Sequence, residues 1–287
     1  MISERQSLAR KGAMSALKLR RKLGLNLLDS ICPFDVAETC GVEVRFIDIS
    51  SIDAVYARMP KSIILLSSGR PLVRQVFNCA HELGHHVFGH GVCLEQLLSK
   101  RYLADPKEFL VECFAGLLLM PQIAVRNAFL QRGWSINRPT SEQLYAVACH
   151  FGVGYTTLVH HMRGGVGILE TRFAESRLRE RLPSIRKKIL GEACTGNLIV
   201  VDQHWRGRPV DTQVGDLILL PPSGRKSGDC VRELKEVASG KVFEALKKGC
   251  GQLFIDETEW GTFIRVSEPQ YVGRSMFRHL EEPGSGG

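Results

Sequence analysis

The sequence predicts an α+β chain of two or three compact units, with a mainly helical first half and a β-rich last third. Its 287 residues are too many for one small core and sufficient for several. After Pro121 the helical pattern continues to about Met162, and the pair Gly164-Gly165 then breaks it. From Asn197 onward, short β-rich runs alternate with turns.

The composition is that of an ordinary globular protein, with 44% apolar and 24% charged residues. Residues 1–10 lack the apolar stretch of a signal peptide, and the most apolar run, Phe109–Met120, is too short to cross a bilayer. The nine cysteines are odd in number and form no C-x-x-C pair, which favours free thiols in a reducing compartment. We therefore expect a cytoplasmic protein with no membrane partner.

The first elements follow from local patterns. Helices are predicted over residues 3–30, 33–40 and 72–88, and a small antiparallel sheet over 42–49, 54–59 and 62–66. Pro106 is placed to open the next helix and Pro121 to close it. A further helix is expected over Asp229–Lys248, inside the β-rich part.

The predicted helix over 72–88 carries H-E-x-x-H at residues 81–85. Because positions i and i+4 lie on one face of a helix, His81 and His85 can bind the same metal ion. Glu82, beside the first histidine, can reach the water in an open coordination position without binding the metal. The pattern therefore predicts a catalytic zinc site, with Glu82 as the general base.

A catalytic zinc ion needs a third protein ligand. The pattern with a third histidine, H-E-x-x-H-x-x-G-x-x-H, fails because position 88 is Phe and position 91 is Gly. Glu108 and Glu112 lie one turn apart on the next predicted helix, in an apolar setting that gives carboxylates little reason to be there unless one meets a cation. The residues alone leave both glutamates open as the third ligand.

Two sequence blocks together resemble the ImmA/IrrE family of bacterial zinc peptidases: residues 81–85, and residues 108–121, which end in Leu-Leu-Met-Pro. The second block of that family reads roughly E-x-x-A-N-x-F-A-x-x-L-L-M-P. Aligned from its end, its ligand glutamate falls on Glu108, and its asparagine position is occupied by Glu112. The resemblance implies a zincin-like metallopeptidase domain in which His81, His85 and Glu108 hold zinc. Glu112 stays as a substitute ligand or a neighbouring carboxylate.

Residues 143–162 resemble a helix-turn-helix, with Gly152 in the turn, and family members commonly carry such a segment. If DNA or a protein partner is bound here, Tyr155, Thr156 and Thr157 are the candidate contacts. The would-be recognition helix has little Arg or Lys, which base readout normally uses. DNA binding is therefore possible but not favoured over a helix pair that packs on the peptidase or positions its substrate.

The formal net charge of +8 is concentrated in residues 163–188, which hold eight basic and three acidic side chains. This is typical of a solvated linker helix and is also compatible with a nucleic-acid footprint.

We expect a zinc metallopeptidase domain over residues 1–125, a helix-turn-helix-like segment over 126–165, a basic linker helix over 166–190, a C-terminal α+β sensor or docking domain over 191–283, and a flexible tail over 284–287.

The resulting hypothesis is a zinc-dependent endopeptidase. The resemblance implies a limited cut in a helix-turn-helix transcriptional repressor, which would derepress stress, DNA-damage or mobile-element genes. The alternative is a non-catalytic DNA- or protein-binding regulator with a structural or vestigial metal site. The presence of Glu82 argues against that alternative, since a purely structural site has no use for this carboxylate.

Overall fold

The computed structural model describes residues 3–58, 60–91, 105–256 and 258–280. The chain forms two compact units, Met1–Ala124 with Gln270–Met276, and Val125–Pro269 with Phe277–Gly287. The α-helices are α1 (Glu4–Lys22), α2 (Pro33–Thr39), α3 (Leu72–Val87), α4 (Pro106–Leu119), α5 (Gln122–Leu130), α6 (Ser141–Phe151), α7 (Tyr155–His160), α8 (Thr171–Leu178) and α9 (Leu182–Leu190). The strands are β1 (Glu43–Ile47), β2 (Ala54–Ala57), β3 (Ile63–Ser67), β4 (Leu198–Val200), β5 (Val210–Gln213), β6 (Leu217–Leu220), β7 (Gly224–Ser227), β8 (Val231–Val237), β9 (Gly240–Ala245), β10 (Gly249–Ile255), β11 (Gly261–Ser267) and β12 (Gly273–Arg274).

Helix α1 is shorter than the helix predicted over residues 3–30. It begins with a capping box, in which Ser3 and Gln6 exchange side-chain and backbone hydrogen bonds, and it ends at Lys22. The helix packs closely on α4 at Gly12, where an added Cβ atom would lie 2.9 Å from the backbone oxygen of Leu110. A glycine is therefore required at this crossing, although its helix propensity is poor.

The sheet of the first unit is mixed rather than antiparallel as predicted. Its order is β12-β1-β3-β2, with β1 parallel to β3 and β2 antiparallel to β3. The reason is that β2 and β3 form a hairpin whose second strand, not its first, pairs with β1. Val44 and Phe46 of β1 pair with Ile64 and Leu66 of β3, and all four side chains are buried. This face supplies part of the core beneath α3.

Helices α3 and α4 lie within the limits that the sequence predicts. Pro106 occupies the first turn of α4, and the side chain of Asp105 caps it by accepting a hydrogen bond from the N–H of Lys107. Pro121 follows the end of the helix at Met120. The two helices approach closely at Gly84, where an added Cβ would lie 3.0 Å from side-chain atoms of Val111 and Phe114.

The helical part of the second unit contains a short helix pair, α6 and α7. A capping box of Thr140 and Gln143 begins α6, and Gly152 ends it with a φ of +67°. One basic linker helix was expected over 166–190, but the chain forms two helices, α8 and α9. Pro183 lies in the first turn of α9, where it fixes a new helix start and cannot continue the preceding one.

The rest of the second unit is built from two four-stranded sheets, β5-β11-β10-β7 and β4-β6-β9-β8. Both contribute to one hydrophobic cluster, which includes Trp205, Ile218, Phe243, Leu253 and Ile264. The described residues between 191 and 280 hold no α-helix, so the α+β prediction for this region is wrong in its helical part.

The helix expected over Asp229–Lys248 is instead the antiparallel pair β8 and β9. The charged residues of β8 are spaced as in a solvated helix, but they lie on an edge strand, where exposed charges discourage further strand pairing. Gly240 lies at the tight turn between the strands, and a side chain is excluded there because an added Cβ would overlap the backbone oxygen of Leu220.

One helical stretch, Pro106–Leu130, is long and apolar enough to cross a membrane by length and composition, and 67% of its most apolar window is buried inside the protein. The core helix of a globular protein passes the same test. Eight cysteines in the part of the chain that the structure describes are free thiols. The tail predicted at Gly284–Gly287 lies outside the described residues.

Candidate metal centre

Helix α3 presents His81 and His85 one turn apart on the same face. The opposite side of the helix is anchored in the core by Val76, Cys79, Ala80 and Leu83, all of which are buried. Gln75 fixes the start of the helix to β3, because its amide donates hydrogen bonds to the backbone oxygens of Ser67 and Ser68. The orientation of the two histidines is therefore set by packing along the opposite side of the helix and by hydrogen bonds at its start.

Glu108 reaches the same point from the first turn of α4 and is buried. One carboxylate oxygen lies 3.0 Å from Nε2 of His81, and the other lies 3.4 Å from Nε2 of His85. The two Nε2 atoms are 3.3 Å apart. The structure thus brings together three potential ligand atoms from residues separated by up to 27 positions in the chain.

The distances between the three ligand atoms can be compared with those around a bound zinc ion. Three ligand atoms about 2.0–2.2 Å from one tetrahedral zinc ion lie roughly 3.3–3.6 Å from one another. The observed separations of 3.0, 3.3 and 3.4 Å are close to that range. Two imidazoles and one carboxylate are also a donor set found in catalytic zinc sites. The residues present therefore fit a divalent metal such as zinc.

The charges of the three side chains are strongly linked. Burial opposes ionisation of Glu108, but hydrogen bonds from His81 and His85 outweigh it and hold the pKa of this carboxyl well below its usual range. Burial likewise opposes protonation of His81, but the hydrogen bond with Glu108 and the nearby glutamate charges raise its pKa. A preformed anion between two imidazoles is the electrostatic environment that a cation occupies favourably.

Glu82 lies on α3 between the two histidines in sequence and is buried. Burial raises the pKa of its carboxyl, and this effect outweighs the opposing effects of His81, His85 and a backbone hydrogen bond at Tyr56. A carboxyl group with a raised pKa can accept a proton and return it near neutral pH. This property suits a general base that later acts as a general acid.

The structure does not bring Glu112 into the cluster. Its side chain is exposed, one turn further along α4 than Glu108, and the group of potential ligands within 4.8 Å of one another consists of His81, His85 and Glu108. Glu112 acts on His81 only through its charge, which contributes to the raised pKa of that histidine. As a substitute ligand, Glu112 is therefore disfavoured by its position.

The three candidate partner contacts at the start of α7 differ in exposure. Tyr155 is buried, and its hydroxyl lies 3.1 Å from the backbone oxygen of Arg177 and 3.3 Å from Oγ of Ser141, within hydrogen-bond distance of both. The prediction that Tyr155 is available for contact is wrong, because this side chain anchors α7 to the neighbouring helices. Thr156 is exposed and Thr157 is partly exposed, so only these two remain accessible.

Sequence reasoning missed two contacts to histidines at the C-terminal end of α3, one of them to the candidate ligand His85. Nδ1 of His90 lies 3.0 Å from Nδ1 of His85, and the hydroxyl of Tyr56 lies 3.0 Å from Nδ1 of His86. His90 does not stand at the third-histidine position of H-E-x-x-H-x-x-G-x-x-H, which is Gly91, so the metal-ligand pattern does not mark it. The position of Tyr56 in β2 carries no local signal, since strand β2 meets α3 only in the folded chain.

A pair of histidines on α3 with a glutamate from α4 is a ligand set of the kind found in metallopeptidases. Residues 37–163 match the family model described as the IrrE N-terminal-like domain, a peptidase family. The resemblance inferred from the two sequence blocks is therefore confirmed.

Other comparisons are more distant. A Mycobacterium tuberculosis transcriptional regulator of known structure is similar to the chain with 18% identity and a TM-score of 0.36. The match covers 54% of this chain and 46% of that regulator, so the chain spans less than half of its length. No curated protein matches the chain significantly.

Proposed function

We propose that the chain is a zinc-dependent endopeptidase in which His81, His85 and Glu108 hold the metal and Glu82 transfers protons. The single observation that carries this proposal is the convergence of the three side chains, with Nε2 of His81 3.0 Å from Glu108 and 3.3 Å from Nε2 of His85. The match of residues 37–163 to a peptidase family supports it.

When bound, zinc would supply Lewis-acid activation of water and of the scissile carbonyl group. Glu82 accepts a proton from the attacking water while the oxygen of that water forms a bond to the carbonyl carbon. The same carboxyl then donates that proton to the leaving amine as the C–N bond breaks. The raised pKa of Glu82 makes both transfers accessible, because the buried carboxyl holds a proton more readily than one in water.

For the substrate, we propose a helix-turn-helix transcriptional repressor, cut at a limited number of bonds. The support is the family resemblance of the two sequence blocks and the helix pair α6–α7, which lies at the end of the matched segment. A role of α6–α7 in positioning such a substrate is favoured over base readout, since Tyr155 is buried and the exposed candidates are two threonines. Residues 191–283, whose described part is β-rich, are proposed as a sensor or docking domain.

The test compares newly formed protein N-termini in cells that carry the wild type, Glu82→Gln or Glu175→Gln. Glu82→Gln preserves the shape of the buried side chain but cannot accept a proton, whereas Glu175 is exposed on α8 and serves as the matched control. We expect a cut in a helix-turn-helix repressor after DNA damage with the wild type and the control only. The zinc content of all three purified proteins should be equal.

The outcomes separate the two parts of the proposal. Equal cleavage and equal biological activity with Glu82→Gln would overturn the peptidase assignment in favour of a non-catalytic regulator. A Glu82-dependent cut in a protein of another class would uphold the peptidase and overturn the repressor as its substrate.

A further inference from the structure

The end of helix α3 folds back on the metal centre through a turn that Gly89 makes possible. Gly89 has a φ of +67°, in the left-handed region that favours glycine. Its N–H donates to the backbone oxygen of His86, and the N–H of His90 donates to the backbone oxygen of His85. This pair of hydrogen bonds is a Schellman motif, in which the second residue beyond the helix cap returns to the last turn.

The motif places the imidazole of His90 against that of His85. The two Nδ1 atoms are 3.0 Å apart and the ring centroids are 5.1 Å apart. On its other side, the ring of His90 stacks on Phe88, with ring centroids 5.8 Å apart and an angle of 28° between the planes. Phe88 in turn contacts Phe114 of α4 edge to face. His90 is thus held beside His85 by its backbone hydrogen bond and by contact of its ring with Phe88.

The hydrogen bond between two Nδ1 atoms has only two arrangements, because one imidazole must donate and the other must accept. If His85 accepted at Nδ1, its single proton would sit on Nε2, and that nitrogen could not bind a metal. If neutral His85 donates from Nδ1, its Nε2 carries the lone pair and can bind a metal ion at the point where Nε2 of His81 and the carboxylate of Glu108 converge. Metal binding at Nε2 therefore requires His90 to be the acceptor.

We infer that His90 is a positioning residue, which accepts a hydrogen bond from Nδ1 of His85 and thereby fixes the tautomer and ring orientation in which His85 binds zinc. This inference rests on the proposed metal site and deepens it. In many zinc sites a carboxylate or a backbone carbonyl accepts the hydrogen bond from the second ring nitrogen of a zinc-bound histidine, and here a third histidine takes that role.

The experiment measures the dissociation constant of zinc for the metal-stripped full chain, by competition with a chromophoric chelator. His90→Phe removes the acceptor and keeps an aromatic ring beside Phe88, whereas His90→Gln keeps an oxygen acceptor. His160→Phe, at an exposed position of α7, is the matched control. We expect His90→Phe to weaken zinc binding by roughly 10–100-fold, His90→Gln to weaken it less, and the control to bind as the wild type does.

A dissociation constant for His90→Phe equal to that of the wild type would overturn the inference while leaving the metal site intact. The metal site itself fails if the wild type takes up no zinc, or if His81→Ala binds zinc as tightly as the wild type. Nitrogen-15 spectra of the zinc-loaded wild type give a second test, which does not depend on whether the variants fold. We expect protonation of His85 at Nδ1 and of His90 at Nε2; protonation of His90 at Nδ1 would also overturn the inference.

Discussion

The guanidinium of Arg20 donates from Nε to the backbone oxygen of Leu118 across 2.8 Å, although the two residues are 98 positions apart. Its other nitrogens donate to the backbone oxygens of Asn26 and Asp29. Arg20 is fully buried, and burial lowers its pKa to about 10, so it stays charged at neutral pH. One side chain thus ties α1 and the loop after it to the end of α4, the helix that carries Glu108.

Replacement of Arg20 by Met should destabilise the first unit by roughly 2–3 kcal/mol, because three backbone oxygens lose charged donors and one of these hydrogen bonds is buried. Circular dichroism during urea unfolding measures the effect. Arg21→Met is the matched control, since Arg21 is exposed one position further along α1. Equal losses of unfolding free energy in the two variants would show that the hydrogen bonds of Arg20 do not stabilise the fold.

The two glutamates of α4 should differ in zinc binding. Glu108→Gln removes a buried carboxylate between His81 and His85, and we expect zinc affinity to fall by two or more orders of magnitude. Glu112→Gln, at an exposed position outside the cluster, should change the affinity less than threefold. Zinc titration of both metal-stripped variants measures the two affinities. A larger loss of affinity in Glu112→Gln than in Glu108→Gln would assign the third ligand to Glu112.

Gly84 sets the distance between the two helices of the site. A side chain at this position would press against Val111 and Phe114 of α4, so Gly84→Val should cost about 1–3 kcal/mol of stability. It should also weaken zinc binding, because α4 moves away and takes Glu108 with it. Gly69→Val is a suitable control, since nothing lies within 4 Å of an added Cβ there. Zinc affinity unchanged in Gly84→Val would show that α4 can shift without moving Glu108.

Local sequence predicted the parts of the site that local chemistry determines. The H-E-x-x-H spacing places His81 and His85 on one face of a helix whatever the rest of the chain does, and Pro106 marks the start of the helix with Glu108. The choice between Glu108 and Glu112 needed the family resemblance, because two residues one turn apart have the same local pattern. Tyr155 was misjudged for a related reason: its burial depends on Ser141 and Arg177, which only the folded chain brings to it.

In the β-rich unit, the spacing of charged residues predicted a helix where the chain forms strands. The charges of β8 alternate in sign as they do along a solvated helix, and nothing within Asp229–Lys248 reveals that the segment lies at the edge of a sheet. The signal that could have corrected the prediction is the pair Ser239-Gly240 at its centre, since a glycine in mid-helix is unfavourable and a turn residue between strands is not.

The stability of the second unit should depend on pH through one buried histidine. His150 is buried between Phe151 and Trp205, and its Nδ1 has no hydrogen-bond partner within the described residues. Burial, with the charges of Arg132, Arg208 and His204, lowers its pKa well below the usual value. The folded state therefore binds this proton less readily than the unfolded chain does.

A histidine with a lowered pKa in the folded state leaves stability unaffected above its unfolded pKa of about 6.5. Below that pH, the unfolded chain takes up a proton that the folded unit refuses. His150 should thus remove up to about 1.4 kcal/mol per pH unit as the pH falls. The three tryptophans, Trp134, Trp205 and Trp260, all lie in the second unit, so their fluorescence during urea unfolding reports on that unit alone.

Comparison of variants isolates this one residue from the other histidines. His150→Leu should lose stability less steeply between pH 7 and pH 5 than the wild type, even if its stability at pH 8 is lower. His160→Leu, at an exposed position, should keep the slope of the wild type. If the slopes of His150→Leu and the wild type coincide, the buried imidazole takes up its proton as readily in the folded unit as in water, and the acid sensitivity of this unit must come from another group.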